Sequence, residues 1–431
     1  MVSLMNVLIL GFGQMGCGFD AAFHFASHGH SVRVSGSKKE PYASETMELL
    51  ESMGVDFCKP ETLDDDIAWA DIIVKSSTIG IQDVQFPSYK KVVNDLSMLF
   101  STPQIKNVKI ICVSGAKSKT TTASALCHAL NYMGISTHMC GNMGISGFCE
   151  RERLENGDIP QYLICELSYG QIRDTIDIMD WDLPFVDISI FTGLGSKTDV
   201  LESFTPTLTS DSRIVICPDE CRRELLETLN RRSKDIFAVE SLCGQMSKAL
   251  PKYMEWAFAT LRKLGITAPQ ANKALKTFKG IPNRGELVAR TESLMFINDS
   301  SSSIPEAVGF TVGNLSNLPV HLICGGYGKD LDATGMESVL KSVSSIHLLS
   351  GTFTDQRLIP FLNGCDISYN GPFPTMEEAV RSACKKAAQS QKLMQVILLS
   401  PGVPAQCCYR NEFFRGDAFR KAVEEANKKL D

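Results

Sequence analysis

The chain has 431 residues, 44% hydrophobic and 21% charged, which is an ordinary globular composition with room for two or three domains. Its net charge of −6 disfavours nucleic-acid and anionic-membrane surfaces, and no run of about 18 apolar residues offers a membrane span. Fifteen cysteines are scattered without a C-x-x-C spacing. Several (Cys112, Cys165, Cys217, Cys324) sit inside apolar runs, so reduced thiols and a cytoplasmic location are expected. The adjacent Cys407-Cys408 pair is a candidate reactive site.

The apolar run from Met1 to Leu10 has no basic flank and ends in a glycine turn, so it reads as a strand over 6–10 and not as a secretion signal. Gly11-Phe12-Gly13-Gln14-Met15-Gly16 is a G-x-G-x-x-G turn. A helix over 19–28 and a strand over 31–34 complete a Rossmann-like start. A nicotinamide-cofactor site wants an acid after that strand, whereas the chain reads Ser35-Gly36-Ser37-Lys38. This polar, basic end suits a phosphate or a uridine nucleotide, the alternative being a turn that only closes strand onto helix. A strand over 71–74 ends in the polar loop Lys75 to Gly80, where open α/β sheets bind ligands, and Ser76 is a candidate contact there. A helix over 92–100 leads to Ser101-Thr102-Pro103-Gln104, the first expected boundary.

The unbroken apolar run Ile110-Ile111-Cys112-Val113 suits a strand covered on both faces. Ser114-Gly115-Ala116-Lys117-Ser118-Lys119-Thr120-Thr121 follows as a phosphate loop. Gly115 lets the backbone turn, Lys119 supplies an ammonium for the outer phosphates, and Thr120 a hydroxyl for Mg²⁺. Lys117, Ser118 and Thr121 are further nucleotide contacts. From Thr121 the pattern is helical, with Ala123, Leu126, Leu130 and Met133 on one face and a positive end aimed at the phosphates. Ser118 stands where the usual pattern has glycine, at roughly 0.5–1 kcal/mol, or more if φ must be positive. A plain βα turn is the alternative.

Gly141-Asn142-Met143-Gly144 places an amide in a tight turn. A strand over 162–165 ends in Glu166, where a carboxylate beside the phosphate-loop strand would hold Mg²⁺; a helix cap is the alternative. Strands over 186–191 and 214–217 complete this sheet, and 219–248 reads as charged and irregular. Helices over 253–264 and 268–278 lead to Gly280-Ile281-Pro282-Asn283-Arg284-Gly285-Glu286, the second boundary. A third unit has strands over 294–297, 320–324, 346–349 and 396–399. Loops carrying Asp299, Lys329 and Ser400 follow three of them, at one sheet edge. There Asp299 could take ribose hydroxyls and Lys329 a carboxylate, or each could be a turn residue. Arg415-Gly416 lies early in a last helix with Phe419, Ala422 and Ala426 inward.

Taken in order, these segments resemble the Mur ligase family over nearly the whole chain. They are Gly11-Phe12-Gly13, Ser114-Gly115 with Lys119-Thr120, Gly141-Asn142-Met143-Gly144, Glu166-Leu167-Ser168 with Gln171, and Asn283-Arg284 with Glu286. Asn298-Asp299-Ser300, Gly325-Gly326 with Lys329, Ser400-Pro401, and Asn411 with Arg415-Gly416 complete the set. The resemblance implies an α/β, three-domain Mur architecture. A Rossmann-like domain over 1–104 would take the UDP-substrate, a P-loop ATPase-like domain over 105–283 ATP, and a Rossmann-like domain over 284–431 the amino acid and nucleotide. It implies a ligase of peptidoglycan precursor synthesis, acting as a monomer. ATP would phosphorylate UDP-N-acetylmuramoyl-L-alanine, and D-glutamate would attack the acyl phosphate. By the same resemblance Lys119 and Glu166 are catalytic, Thr120 and Glu166 hold Mg²⁺, and Arg284 and Asp299 hold the nucleotide. Gly13, Gln14, Met15, Ser76 and Asn142, with Lys329 and Ser400, contact substrates.

The departures from the family fall on chemistry. The family carries a metal-binding His in a segment matching 192–199, yet this chain has no His between His138 and His321. A Lys that the family carbamylates should follow, and 204–213 holds none. A base-contacting His-Asn pair is missing around 250–253. Ala116 replaces Thr, Ser301 replaces Lys, and Ala405 replaces a D-glutamate-binding Ser. Two readings stand: a divergent ligase with one metal and substitutes such as Lys197 or Lys117, or a non-catalytic relative that binds a nucleotide, a UDP-sugar or a partner.

Overall fold

The computed structural model describes residues 4–12, 17–35, 44–76, 79, 84, 86–115, 118–142, 145–179, 186–193, 214–222, 236–250, 254–315, 318–328, 331–389, 394–405, 408–409 and 411–428. By internal contacts the chain forms two compact units, Met1–Ser37 with Leu50–Lys279, and Lys38–Leu49 with Gly280–Asp431.

The first unit holds two parallel sheets. In one, the elements run in chain order β1 (Asn6–Leu10), α1 (Cys17–Ser27), β2 (Ser31–Ser35), α2 (Ser44–Ser52, of which only Leu50–Ser52 belong to this unit), β3 (Asp56–Cys58), α3 (Leu63–Trp69), β4 (Ile72–Lys75), β5 (Lys91–Val93) and α4 (Asp95–Phe100). The strand order is β3-β2-β1-β4-β5. Next come β6 (Lys109–Ser114), α5 (Lys119–Tyr132), β7 (Thr137–Gly141), α6 (Gly147–Glu155), β8 (Tyr162–Glu166), α7 (Tyr169–Met179) and β9 (Ile188–Phe191). They are followed by β10 (Ile214–Cys217), β11 (Ile236–Ala238), α8 (Val239–Leu242), α9 (Glu255–Lys263) and α10 (Ala268–Lys276), and the order is β11-β10-β9-β6-β8-β7. Both faces of this sheet are covered. Ile110 and Cys112 of β6 enter one apolar cluster, while Ile111 and Val113 enter the other, beneath α5. That alternation of faces explains why an unbroken apolar run is needed.

The second unit holds β12 (Glu286–Arg290), β13 (Leu294–Asn298), α11 (Pro305–Asn314), β14 (Val320–Gly325), α12 (Glu337–Ser342), β15 (Ser345–Leu349), α13 (Ile359–Gly364), β16 (Asn370–Phe373), α14 (Met376–Ala388), β17 (Gln395–Leu399) and α15 (Glu412–Asn427). Its order is β12-β13-β17-β14-β15-β16, with β12 antiparallel to β13. Phe419 and Ala422 of α15 are buried as expected, against Phe296 and Ile397 among others.

Several expectations need correction. Residues 91–93, partly assigned to a helix, form edge strand β5, because Val92-Val93 pairs with β4 and Asn94 starts the helix only afterwards. The Asn94 side chain accepts from Ser97 N at 2.7 Å, and Ser97 Oγ accepts from Asn94 N at 2.8 Å, a reciprocal cap. The stretch 219–248 contains β11, which extends the sheet beside β10, and α8. Helix α5 begins at Lys119, two residues before the helical pattern becomes visible. Strands β3, β7, β12 and β16 were not foreseen.

Candidate nucleotide and substrate site

Strand β6 lies between β9 and β8, and Val113 pairs in register with Glu166. The phosphate loop and the end of β8 therefore share one sheet edge. Gly115 has φ 126°, and a Cβ there would meet Thr192 Oγ1 at 2.5 Å and its backbone N at 2.8 Å. Only glycine fits that turn. Ser118 immediately precedes α5 with φ 65°, the left-handed conformation that glycine adopts more cheaply. The Lys119 ammonium donates to Gly115 O at 2.7 Å, so it bends over its own loop. Thr120 Oγ1 donates to Glu166 Oε1 at 2.9 Å, and both residues are buried.

That pair fits a magnesium ion. Both groups are hard oxygen donors, and an octahedral ion with bonds of 2.0–2.1 Å sets neighbouring ligands about 2.9 Å apart. Asn142 adjoins them, its N donating to Glu166 O at 2.8 Å. Gly141 has φ 105°, and a Cβ there would stand 2.2 Å from the same carbonyl. The structure thus gathers Gly115, Ser118, Lys119, Thr120, Asn142 and Glu166, with Thr121 on the first turn of α5.

In the N-terminal sheet, Ser76 N donates to Leu10 O at 2.9 Å, which sets Ser76 beside Gly11 at the carboxyl ends of β1 and β4. The neighbouring Lys75 has a role the sequence did not reveal. Its ammonium is fully buried, pairs with Asp174 Oδ1 of α7 at 2.5 Å, and donates to the carbonyls of Ser76 and Ile79. Asp174 Oδ2 also accepts from Asn94 Nδ2 at 3.0 Å, so this network ties the two sheets of the first unit together.

In the second unit the side chains of Asp299 and Ser400 meet. Asp299 Oδ2 accepts from Ser302 Oγ at 2.5 Å, Thr311 Oγ1 at 2.6 Å and Ser400 Oγ at 2.9 Å. Its Oδ1 accepts from Gly285 N at 3.1 Å, which brings the loop of exposed Arg284 alongside. A cavity of about 350 Å³ is lined by Gly326, Tyr327, Ser350, Ala405, Tyr409 and Arg415, among others. Burial pulls the Arg415 guanidinium down to about 10, while it donates to Ser300 O at 2.7 Å and Val403 O at 3.0 Å. Cys408 is exposed, and partial desolvation pushes its thiol above its ordinary value, which lowers its thiolate fraction. Gly13, Gln14, Met15, Lys117, Lys197, Lys329 and Cys407 lie outside the described residues. No helix among the described residues is long and apolar enough to cross a membrane.

The chain is an α/β protein with a Lys-Thr helix start beside a parallel strand that ends in a buried carboxylate. No family model matches the chain. The fold is that of the Mur ligases. It matches UDP-N-acetylmuramate-alanine ligase from Thermotoga maritima with a TM-score of 0.56 at 13% identity, over 98% of this chain and 100% of that one. The MurF ligase of the same organism, in complex with ADP, matches at 0.50 and 13% identity, over 85% and 92%. By sequence the chain is 24% identical to UDP-N-acetylmuramoylalanine–D-glutamate ligase from Borreliella afzelii over 454 aligned positions, 97% of this chain and 98% of that one. The ligase of that name from Nitratidesulfovibrio vulgaris is 26% identical over 336 positions, 74% and 73% of the two chains. The chain is therefore a divergent relative of the Mur ligases, similar in sequence to their D-glutamate ligases.

Proposed function

We propose that this chain is an ATP-dependent amide ligase that adds D-glutamate to UDP-N-acetylmuramoyl-L-alanine, acting in the cytoplasm as a monomer. Residues 1–104 would take the UDP-substrate, 105–283 ATP, and 284–431 the amino acid and part of the nucleotide. The observation that carries this reading is the buried contact between Thr120 and Glu166 at the mouth of the phosphate loop.

Lys119 leaves Gly115 O and neutralises the outer phosphates, which lowers the repulsion between ATP and the substrate carboxylate. Thr120 and Glu166 would hold Mg²⁺, which would supply charge neutralisation at the transferring phosphoryl group. The γ-phosphoryl passes to the substrate carboxylate and ADP leaves. The amino group of D-glutamate then attacks the acyl carbon, forms the amide and releases phosphate and a proton. Asn142, Ser76 and the Gly13-Gln14-Met15 turn position the UDP-substrate, and Lys329 takes a D-glutamate carboxylate. Arg284 and Asp299 hold the nucleotide, and Ser400 contacts substrate.

The lack of any His between His138 and His321 favours a second reading, a relative that binds a nucleotide or UDP-sugar without turnover. Phosphate release with ATP, Mg²⁺, UDP-N-acetylmuramoyl-L-alanine and D-glutamate separates the two. The ligase releases phosphate well above a Lys119→Ala control. Equal release from both, with ATP binding retained, leaves only the second reading.

A further inference from the structure

Away from the phosphate loop, α1 of the first sheet and α6 of the second meet along a seam of metal-binding side chains. His24 lies in the last turn of α1, and His28 follows in the turn just after the helix, its backbone N donating to His24 O at 3.2 Å. Glu152 reaches them from α6, its Oε1 2.7 Å from His24 Nδ1. The two imidazoles lie 4.6 Å apart between ring centroids, and one ligand atom from each of the three residues falls within 4.8 Å of the others. Asp20, one turn before His24, hydrogen-bonds Cys149 of α6, which extends the polar seam. Phe25 and Phe148 wall His24 on its apolar side at 5.1 and 5.3 Å.

We propose that His24, His28 and Glu152 form a binding site for a divalent cation of the zinc class, which staples α1 to α6. Two imidazoles and a carboxylate are a zinc donor set, and exposed His28 leaves the fourth position open to water. A tetrahedral ion with bonds of about 2.0–2.2 Å holds its ligands about 3.4 Å apart. That value falls between the 2.7 Å separation of His24 Nδ1 from Glu152 Oε1 and the 4.8 Å within which all three ligand atoms lie. His28 Nδ1 already donates to His24 O at 2.7 Å. This bond fixes the tautomer and leaves Nε2 with its lone pair, as in metal-binding histidines whose other ring nitrogen is anchored.

The test is titration of untagged, chelator-stripped full-length protein with Zn²⁺ by calorimetry and with Co²⁺ by visible absorption. The wild type should take up one equivalent tightly. His28→Ala and Glu152→Gln, both altered at accessible side chains, should each weaken uptake by at least the roughly 10–100-fold that losing even an outer-shell partner costs. The metal should also raise the unfolding temperature of the wild type and not of the variants. No saturable uptake by the wild type, or equal affinity in wild type and variants, overturns the proposal.

Discussion

Replacing Lys75 with Met tests whether a buried ion pair joins the first two sheets. The Lys75 ammonium has no solvent contact, and Asp174 is nearly as deep. Met keeps the apolar stem and removes only the charge, so packing changes little. Asp174 would be left as a buried carboxylate with the Asn94 amide at 3.0 Å as a donor. Removing one partner of a buried pair costs about 3–5 kcal/mol. The retained amide bond places Lys75→Met near the lower end, about 3 kcal/mol. Trp69 and Trp256 lie in the first unit, so tryptophan fluorescence in a urea titration reports the relevant transition. The double variant Lys75→Met/Asp174→Leu removes both charges and should recover most of the loss. A single-variant cost under about 1 kcal/mol, or a double variant no better than the single, would refute the reasoning.

Three further outcomes follow from local geometry. Ser118→Gly should stabilise the protein by about 0.5–1 kcal/mol by relieving φ 65°, less the extra freedom glycine gains on unfolding; a loss of stability would contradict the assigned turn. Gly141→Ala should cost about 2–3 kcal/mol and weaken Mg²⁺-dependent nucleotide binding, because its Cβ would press on the carbonyl of Glu166; unchanged melting and binding would refute this. His347 is buried between Ser345 and Ser382, and burial, with His321 and Lys386 nearby, pulls its pKa from 6.5 to about 4. The unfolded chain binds that proton first, so the stabilisation is complete above pH 6.5. About 3 kcal/mol of it is lost as pH falls to 4, at 1.36 kcal/mol per unit. His347→Asn should flatten that part of the stability profile in urea titrations across the range, and an unchanged slope would count against the buried neutral imidazole.

The central strands were legible because a parallel strand covered on both faces must be apolar at every position, as Ile110 to Val113 and Val396 to Leu399 are. Edge strands escape that demand. Strand β11 has three residues within a charged stretch, and β5 is cut short by the Asn94 cap, so neither carries a periodic signal. The link from Thr120 to Glu166 was readable in outline, since a phosphate-loop strand and its parallel neighbour end at one edge. The partners of Lys75 and Asp299 were not. An ion pair from β4 to α7, and a carboxylate that gathers Ser302, Thr311 and Ser400, depend on tertiary contacts that local sequence does not encode.

Mass spectrometry of the UDP-linked substrate tests the ligase assignment most directly. Incubated with ATP, Mg²⁺, D-glutamate and wild-type protein, UDP-N-acetylmuramoyl-L-alanine should gain the mass of one glutamyl residue. The gain should vanish without ATP and fall by at least about 100-fold with Lys119→Ala. Unchanged substrate mass with the wild-type protein, under conditions where ATP still binds, would contradict the assignment.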